Sequence, residues 1–365
     1  MKVGSLFGIA ITVNVSWIFI FALVTWGLAN PMGPLHLEGV GTAERIALGL
    51  SAALLFFASV LVHELAHSLL ARRRGIAVKG ITLFIFGGVS QFDGEAQDAP
   101  GEAWISGIGP LTSLLLGGLF YGASLAVGGS ATHTGAMFAY LGIANVLLAI
   151  FNILPAYPLD GGRVMHALVW KFSGNKALAT RVTVLVGRVL AALMIGYGVV
   201  ESLAFGNFGG LWLTFVGWFL LQAGSSEQSG LAVKEALQDH RAGELAAPPE
   251  FRLAADASAA RARGAMRAMG VRALPVFVGE HFVGIVTSAE LNALSEDDLA
   301  GTYVTAVMTR EPDVPRIAAA APANDAVATL ASSGGDALAV TGDGGDVLGL
   351  FTRESVVRWL AGALK

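Results

Sequence analysis

Apolar residues in the first 225 positions run in long stretches, at roughly 8–29, 46–70, 103–127, 135–155, 177–203 and 209–224. A hydrocarbon core about 30 Å thick is crossed by roughly 20 helical residues rising about 1.5 Å each, so the pattern predicts six membrane-spanning helices. The first stretch follows Lys2 and continues through Trp17, Phe19, Phe21 and Trp26, too long for the apolar part of a cleaved leader, and is read as a retained span. Between the second and third stretches, Val78 to Phe92 contains two β-prone runs around Gly87-Gly88, which predicts a short hairpin. Past residue 232 the long stretches stop, and short β-prone runs alternate with helical segments.

Composition agrees with two physical regimes. Charged residues are 14% of the 365 and AVILMFWYC 54%, which argues against a wholly soluble chain. Residues 1–228 contain 11 Lys/Arg and 10 Asp/Glu, whereas 229–365 contain 12 and 17. A net charge of −4 with no long basic run leaves no electrostatic footprint for nucleic acid. The absence of cysteine excludes a disulfide scaffold and a thiolate metal site, so a bound metal must use His, Asp or Glu. Arg72, Arg73, Arg74 and Lys79 follow the second stretch, and Arg163, Lys171 and Lys176 lie between the fourth and fifth. The loops at 31–43, 128–134 and 204–208 contain no Lys or Arg. Positive loops face the cytoplasm, so both termini and everything past residue 225 are expected there.

The informative residues are those that a membrane span should not contain. The second stretch includes Val62-His63-Glu64-Leu65-Ala66-His67, three ionisable side chains among Leu54-Leu55-Phe56-Phe57 and Leu69-Leu70. Burying them in lipid is costly unless they are paired or metal-bound. Positions i and i+4 share a helix face about 5–6 Å apart at Cβ, so His63 and His67 can hold one metal ion with Glu64 beside it. Such a His-Glu-x-x-His arrangement is that of zinc metallopeptidases. The structural alternative is two histidines hydrogen-bonded to neighbouring helices. A catalytic zinc site usually has three protein ligands, which calls for a third from another span. The fourth stretch ends Asn152-Ile153-Leu154-Pro155-Ala156-Tyr157-Pro158-Leu159-Asp160-Gly161-Gly162, where the prolines break the helix and the glycines permit turns. Asp160 is presented there, either to a metal or as the N-cap of a following helix.

These two segments together resemble the site-2 protease family of intramembrane zinc metalloproteases. The family joins a transmembrane His-Glu-x-x-His to a distant Asn-x-x-Pro-x-x-x-Leu-Asp-Gly, and both halves stand unbroken here, at 63–67 and 152–161. Resemblance covers roughly residues 1–225. It implies His63, His67 and Asp160 as zinc ligands, Glu64 as catalytic base, and Asn152 as a group that stabilises an oxyanion or positions substrate. A side-chain bond between helices is the alternative role for Asn152. Family members have a membrane-inserted sheet where the hairpin is predicted, and an open strand edge binds extended peptide by strand addition. Phe86, Gly87, Gly88 and Val89, with Pro155 and Pro158, are therefore the candidate substrate contacts. Gly109-Pro110-Leu111-Thr112-Ser113 resembles the family's small-residue packing motif and is read as structural.

The second regime repeats itself. Ala273-Leu274-Pro275-Val276 aligns with Ala337-Leu338-Ala339-Val340, and Gly284-Ile285-Val286-Thr287 with Gly349-Leu350-Phe351-Thr352. Each copy reads as helix, two β-runs and helix. With Val307-Met308-Thr309, this resembles a tandem pair of CBS (cystathionine-β-synthase-type) domains, which commonly bind adenine nucleotides such as ATP and regulate an attached enzyme or channel. In that family an Asp follows the Thr/Ser by three residues and contacts ribose; here those positions are Glu290 and Ser355. Thr287, Glu290 and Thr352 are the nucleotide candidates, and a dimerisation module is the alternative.

The expected chain is thus a polytopic α-helical membrane protein of about six transmembrane helices, with a short β-hairpin after helix two and a cytoplasmic α/β tandem CBS module. Its parts are a metalloprotease domain (1–225), a flexible linker (226–232), a first CBS repeat (233–298) and a second (299–365). The expected activity is zinc-dependent cleavage of a transmembrane or membrane-proximal segment of a regulatory protein in the cell membrane, modulated by the CBS pair. A homodimer through that pair is a further expectation, and nucleic acid is not expected as a partner. The rival is a non-proteolytic metal-binding sensor or transporter; it has no need for a proton shuttle such as Glu64, and it predicts ionisable residues along several spans and a repeat between membrane halves, neither of which is present.

Overall fold

A computed structural model describes residues 1–85, 87–247 and 252–363. It divides into two compact units, Met1–Leu231 and Ala232–Lys365. The first unit opens on two strands, β1 (Lys2–Leu6) and β2 (Ile9–Val13), before α1 (Val15–Leu28) and the long α2 (Thr42–Arg73). Then come β3 (Ala77–Phe84), β4 (Gly87–Asp93), α3 (Ala99–Ala126), α4 (His133–Asn152), α5 (Asp160–Ser173), α6 (Lys176–Phe205) and α7 (Phe208–Ala236). Among the described residues, α2, α3, α4 and α6 are long and apolar enough to cross a membrane. Four such helices are found where six were expected.

The shortfall has local causes. The stretch expected from residue 8 begins in β2, where Ile9, Ile11 and Val13 supply β-branched residues at period two. Its Ile9 side chain is buried with Leu65 of α2 and Ile81 of β3. That leaves α1 only 14 residues, about 21 Å of helix. At the other end, α7 carries its apolar part through Leu221 into Ser, Gln and Glu. Residues 226–232, read as a flexible joint, are helical. Ser225, Ser226 and Ser229 turn their hydroxyls back to the carbonyls of Leu221, Gln222 and Ser225, so the polar residues satisfy themselves within the helix.

The sheet is larger than a hairpin and turns elsewhere. β1 and β2 are antiparallel, β2 and β3 parallel, and β3 and β4 antiparallel, in the order β1-β2-β3-β4. Phe84 pairs with Gly87 and Leu83 with Gly88, so the two glycines belong to β4 and the connection lies before them. β4 is an edge strand of this sheet. α3 packs against α2, α4 and α5, which brings the middle of α2 to the start of α5.

The second unit contains α8 (Ala242–Leu245), β5 (Leu253–Ala254), α9 (Ala259–Met269), β6 (Ala273–Val278), β7 (His281–Thr287), α10 (Ser288–Asn292), α11 (Glu296–Gly301) and β8 (Thr309–Arg310). The second repeat follows as β9 (Arg316–Ala318), α12 (Ala323–Ser333), β10 (Ala337–Thr341), β11 (Val347–Thr352) and α13 (Arg353–Ala363). The aligned segments coincide with β6 and β10, and with β7 and β11. The two cores do not respect a cut at 298/299. Leu299 and Val304 lie in the core of the first repeat, and Leu237, Ala242 and Leu245 in that of the second, so each repeat is completed by chain flanking the other. A third cluster joins them face to face: Ala273, Phe277, Phe282 and Ile285 against Val314, Ala337, Ala339 and Leu350.

Candidate metal centre

On α2, His63 and His67 are one turn apart, both buried, with ring centroids 4.8 Å apart. Their Nε2 atoms lie 3.1 Å from each other. Asp160 Oδ2 is 3.1 Å from His63 Nε2 and 3.2 Å from His67 Nε2. Three ligand atoms on two helices thus form a nearly equilateral triangle. Zn–N bonds of about 2.0–2.1 Å make the edge of a zinc tetrahedron about 3.3 Å, so the triangle matches three corners with the fourth left open.

Outer contacts hold each corner. His67 Nδ1 donates to the carbonyl oxygen of Ile105 at 2.6 Å, which turns Nε2 towards the centre. Pro110 has no N–H to give the Ser106 carbonyl four residues back, the residue next to Ile105. His63 Nδ1 pairs with Ser113 Oγ at 2.9 Å. The motif at 109–113 therefore does more than pack helices: its Ser113 orients a candidate ligand. Gly109 is required by the centre itself, since a Cβ there would lie 2.7 Å from His63 Nε2 and closer still to His67 Nε2. Asp160 is the first residue of α5 and is capped by Leu159, not acting as a cap itself, so its carboxylate is available at the positive end of the helix. Gly161 and Gly162 are helical, not turn residues; a Cβ on Gly162 would sit 2.6 Å from the Ala156 carbonyl carbon, so their role is close packing under α5.

Glu64 follows His63 on α2 and lies against β4. Ser90 Oγ donates to Glu64 Oε2 at 2.7 Å, and a Cβ on Gly88 would meet Glu64 Cγ at 2.5 Å. A base next to a three-ligand site with an open corner can take a proton from water and return it elsewhere. Residues 51–135 and 125–197 match Peptidase family M50, and residues 242–296 and 304–362 each match the CBS domain. The chain carries an M50 (site-2 protease) domain and a tandem CBS pair.

Relatives of the M50 chain include zinc metalloprotease Rip3 of Mycobacterium tuberculosis, 36% identical over 237 residues, which are 64% of this chain and 60% of that one. Zinc metalloprotease sll0528 of Synechocystis sp. is 38% identical over 256 residues, 68% of this chain and 65% of the relative. The chain spans about 60–65% of the length of these curated relatives. Among solved structures, the site-2 protease from Methanocaldococcus jannaschii is 26% identical with a TM-score of 0.43, covering 62% of this chain and 94% of that one.

Other expected site residues of the M50 domain are placed less directly. Asn152 ends α4 and donates one amide N–H to Leu148 in its own helix at 2.9 Å. Gly87, Gly88 and Val89 are on β4, and Phe86 lies outside the described residues. Pro155 and Pro158 lie in the turn between α4 and α5, the latter after a cis peptide bond. Sequence reasoning missed Ser90, Ser113 and the Ile105 carbonyl. It also missed buried His166, whose Nδ1 is 2.8 Å from Glu102 Oε2 of α3 and whose Nε2 is 3.2 Å from Thr180 Oγ1 of α6. This pair ties α5 to both neighbours, six residues after Asp160. An ionisable residue close to an apolar stretch was the available signal.

In the CBS pair, Thr287 and Thr352 are buried at the ends of β7 and β11. Glu290 folds back: Oε2 accepts from the Thr287 backbone N–H at 2.7 Å, and Oε1 accepts from Thr309 Oγ1 at 2.8 Å. Ser355 makes the same return to the Thr352 N–H at 3.1 Å. The two departures from Asp are thus helix-start contacts that a Glu and a Ser can both make.

Proposed function

We propose that the chain is an intramembrane zinc endopeptidase that hydrolyses a peptide bond within or beside a transmembrane segment of a regulatory membrane protein. The observation that carries this reading is the triangle of His63 Nε2, His67 Nε2 and Asp160 Oδ2, with Glu64 adjacent to His63 on the same helix. His63, His67 and Asp160 are the residues that hold the ion. Zinc, when bound, makes a water proton easier to remove and polarises a carbonyl oxygen. Glu64 takes that proton on a carboxylate oxygen and returns it to the leaving amide nitrogen. Asn152 keeps one amide N–H beyond its bond to Leu148, and we assign that donor to the developing oxyanion or to substrate.

A transmembrane helix must unwind before its carbonyl carbons can be attacked. The edge of β4 holds the unwound segment by strand addition, with Gly87, Gly88 and Val89 along it and Pro155 and Pro158 in the turn before α5. The protein crosses the cell membrane several times with both termini in the cytoplasm, as the positions of its Lys and Arg support. The CBS pair lies in the cytoplasm, pairs with that of a second chain, and modulates cleavage by binding ATP or another adenine nucleotide near Thr287, Glu290 and Thr352. The intact Glu64 favours this reading over a metal sensor or transporter.

The test is cleavage of a single-span membrane peptide by the full chain and by Glu64→Gln, both in detergent. The variant keeps about one zinc per chain and loses roughly 100- to 10,000-fold in rate, the range of general-base catalysis. Zinc retained with undiminished cleavage overturns the mechanism. Repeating the assay with and without ATP tests the regulatory half.

A further inference from the structure

Glu64 is held from the sheet, whereas His63 and His67 are oriented from α3. Two features of β4 bear on it. Gly88 brings the strand backbone against the Glu64 stem, because any side chain there would collide with Cγ at 2.5 Å and stand 3.2 Å from the carboxyl carbon. Two residues on, on the same face of the strand, Ser90 Oγ lies 2.7 Å from Glu64 Oε2 and 3.1 Å from the Glu64 carbonyl oxygen. Proton counting fixes the direction of this contact. Both Glu64 atoms only accept, so Ser90 donates its single hydrogen to them. Ser68, fully buried one turn further along α2, then donates its own hydrogen to Ser90 Oγ at 3.0 Å. A short chain of hydroxyls therefore runs from α2 through β4 back to the carboxylate of the same helix. It ends on Oε2.

We infer that Ser90 is a positioning residue for Glu64: the edge strand that accepts substrate also holds the base in the rotamer from which it reaches water at the open corner of the centre. This rests on the proteolytic reading. Ser90 pairs with Ile81 of β3, an interior strand of the sheet, so β4 is braced on one side, and among the described residues no strand pairs with its other edge. A substrate strand added at that edge tightens the same strand that carries the hydroxyl. Docking and base alignment thereby become one event.

The experiment uses the full chain in detergent with a quenched-fluorescent peptide containing one apolar helix interrupted by Asn-Gly. Wild type, Ser90→Ala, Ser90→Thr and Glu64→Gln are compared for kcat, KM, zinc content and thermal unfolding. Ser90→Ala is expected to lower kcat roughly 10- to 100-fold, the cost of a reacting group displaced by about an ångström, with KM and zinc content unchanged. Ser90→Thr keeps the hydroxyl and is expected to restore most of the loss. If wild type cleaves and Glu64→Gln does not, an unchanged kcat in Ser90→Ala overturns the inference alone. Loss of zinc or of cooperative unfolding in both Ser90 variants assigns the residue to the fold and also overturns it. If zinc-loaded wild type does not cleave, the proteolytic reading falls and the inference with it.

Discussion

The two units use polar chemistry in opposite ways. In the membrane unit ionisable groups are scarce, and the buried histidines converge on half-buried carboxylates: His63 and His67 with Asp160 on one triangle, His166 with Glu102 on one clamp. In the CBS unit charge is plentiful and peripheral. Arg263 and Glu296 form a two-point pair, Arg252 and Glu280 a single contact, while the core clusters are Ala, Val, Leu, Ile, Met and Phe. Where water is excluded, each polar group needs a dedicated partner, so its removal is felt at the chemistry. Where water is present, most charges are interchangeable, and apolar packing carries the stability.

That contrast can be broken by experiment. Asp160→Ala is expected to have the largest effect, taking zinc content from about one per chain towards none while the protein still folds, as metal analysis would measure. Full zinc occupancy in that variant would end the claim that buried polarity converges on the centre. Phe351→Ala, deep in the second CBS core, should destabilise its unit by about 3–5 kcal/mol, read by thermal or denaturant unfolding. Ser113→Ala leaves all three ligands in place but frees His63 Nδ1, and should weaken zinc roughly 10- to 100-fold in competition with a chelator.

Glu296→Gln should be the smallest effect. Its hydrogen bond to Arg263 holds the Glu296 carboxyl below the ordinary carboxylate range. A lowered folded-state value means that the contribution is present above the unfolded value, about 4.3, and disappears as pH falls through the folded one. The wild-type advantage in melting temperature should therefore be slight at neutral pH and vanish in acid. An advantage that grows in acid would refute the assignment.

Much of the centre was legible because its signals are local in sequence. His63 and His67 sit at helical spacing in a stretch where neither residue belongs, and the break at Pro155 to Gly162 marks Asp160. The spans α2, α3, α4 and α6 were legible for the same reason: hydrophobic length is a one-dimensional property. The residues that orient the ligands were not. Ser113, Ser90 and the Ile105 carbonyl are ordinary small or apolar positions whose meaning comes from contacts 22 to 50 residues away. β2 hid inside an apolar run because β-branched residues at period two look, by composition alone, like the start of a span. The helical course of 226–232 was hidden by its Ser and Gly content, which signals flexibility unless each hydroxyl finds a carbonyl in its own helix.

Gly109 has a consequence for how metal dependence can be probed. Chelators strip ions from solution and from every other protein present. Alanine at 109 would instead lodge a methyl group among the imidazole nitrogens, leaving His63, Glu64, His67 and Asp160 chemically intact while denying the ion its room. One added carbon would thus act as a permanent, genetically encoded plug, and cells carrying it would report what the protein does with every functional side chain present and no zinc among them.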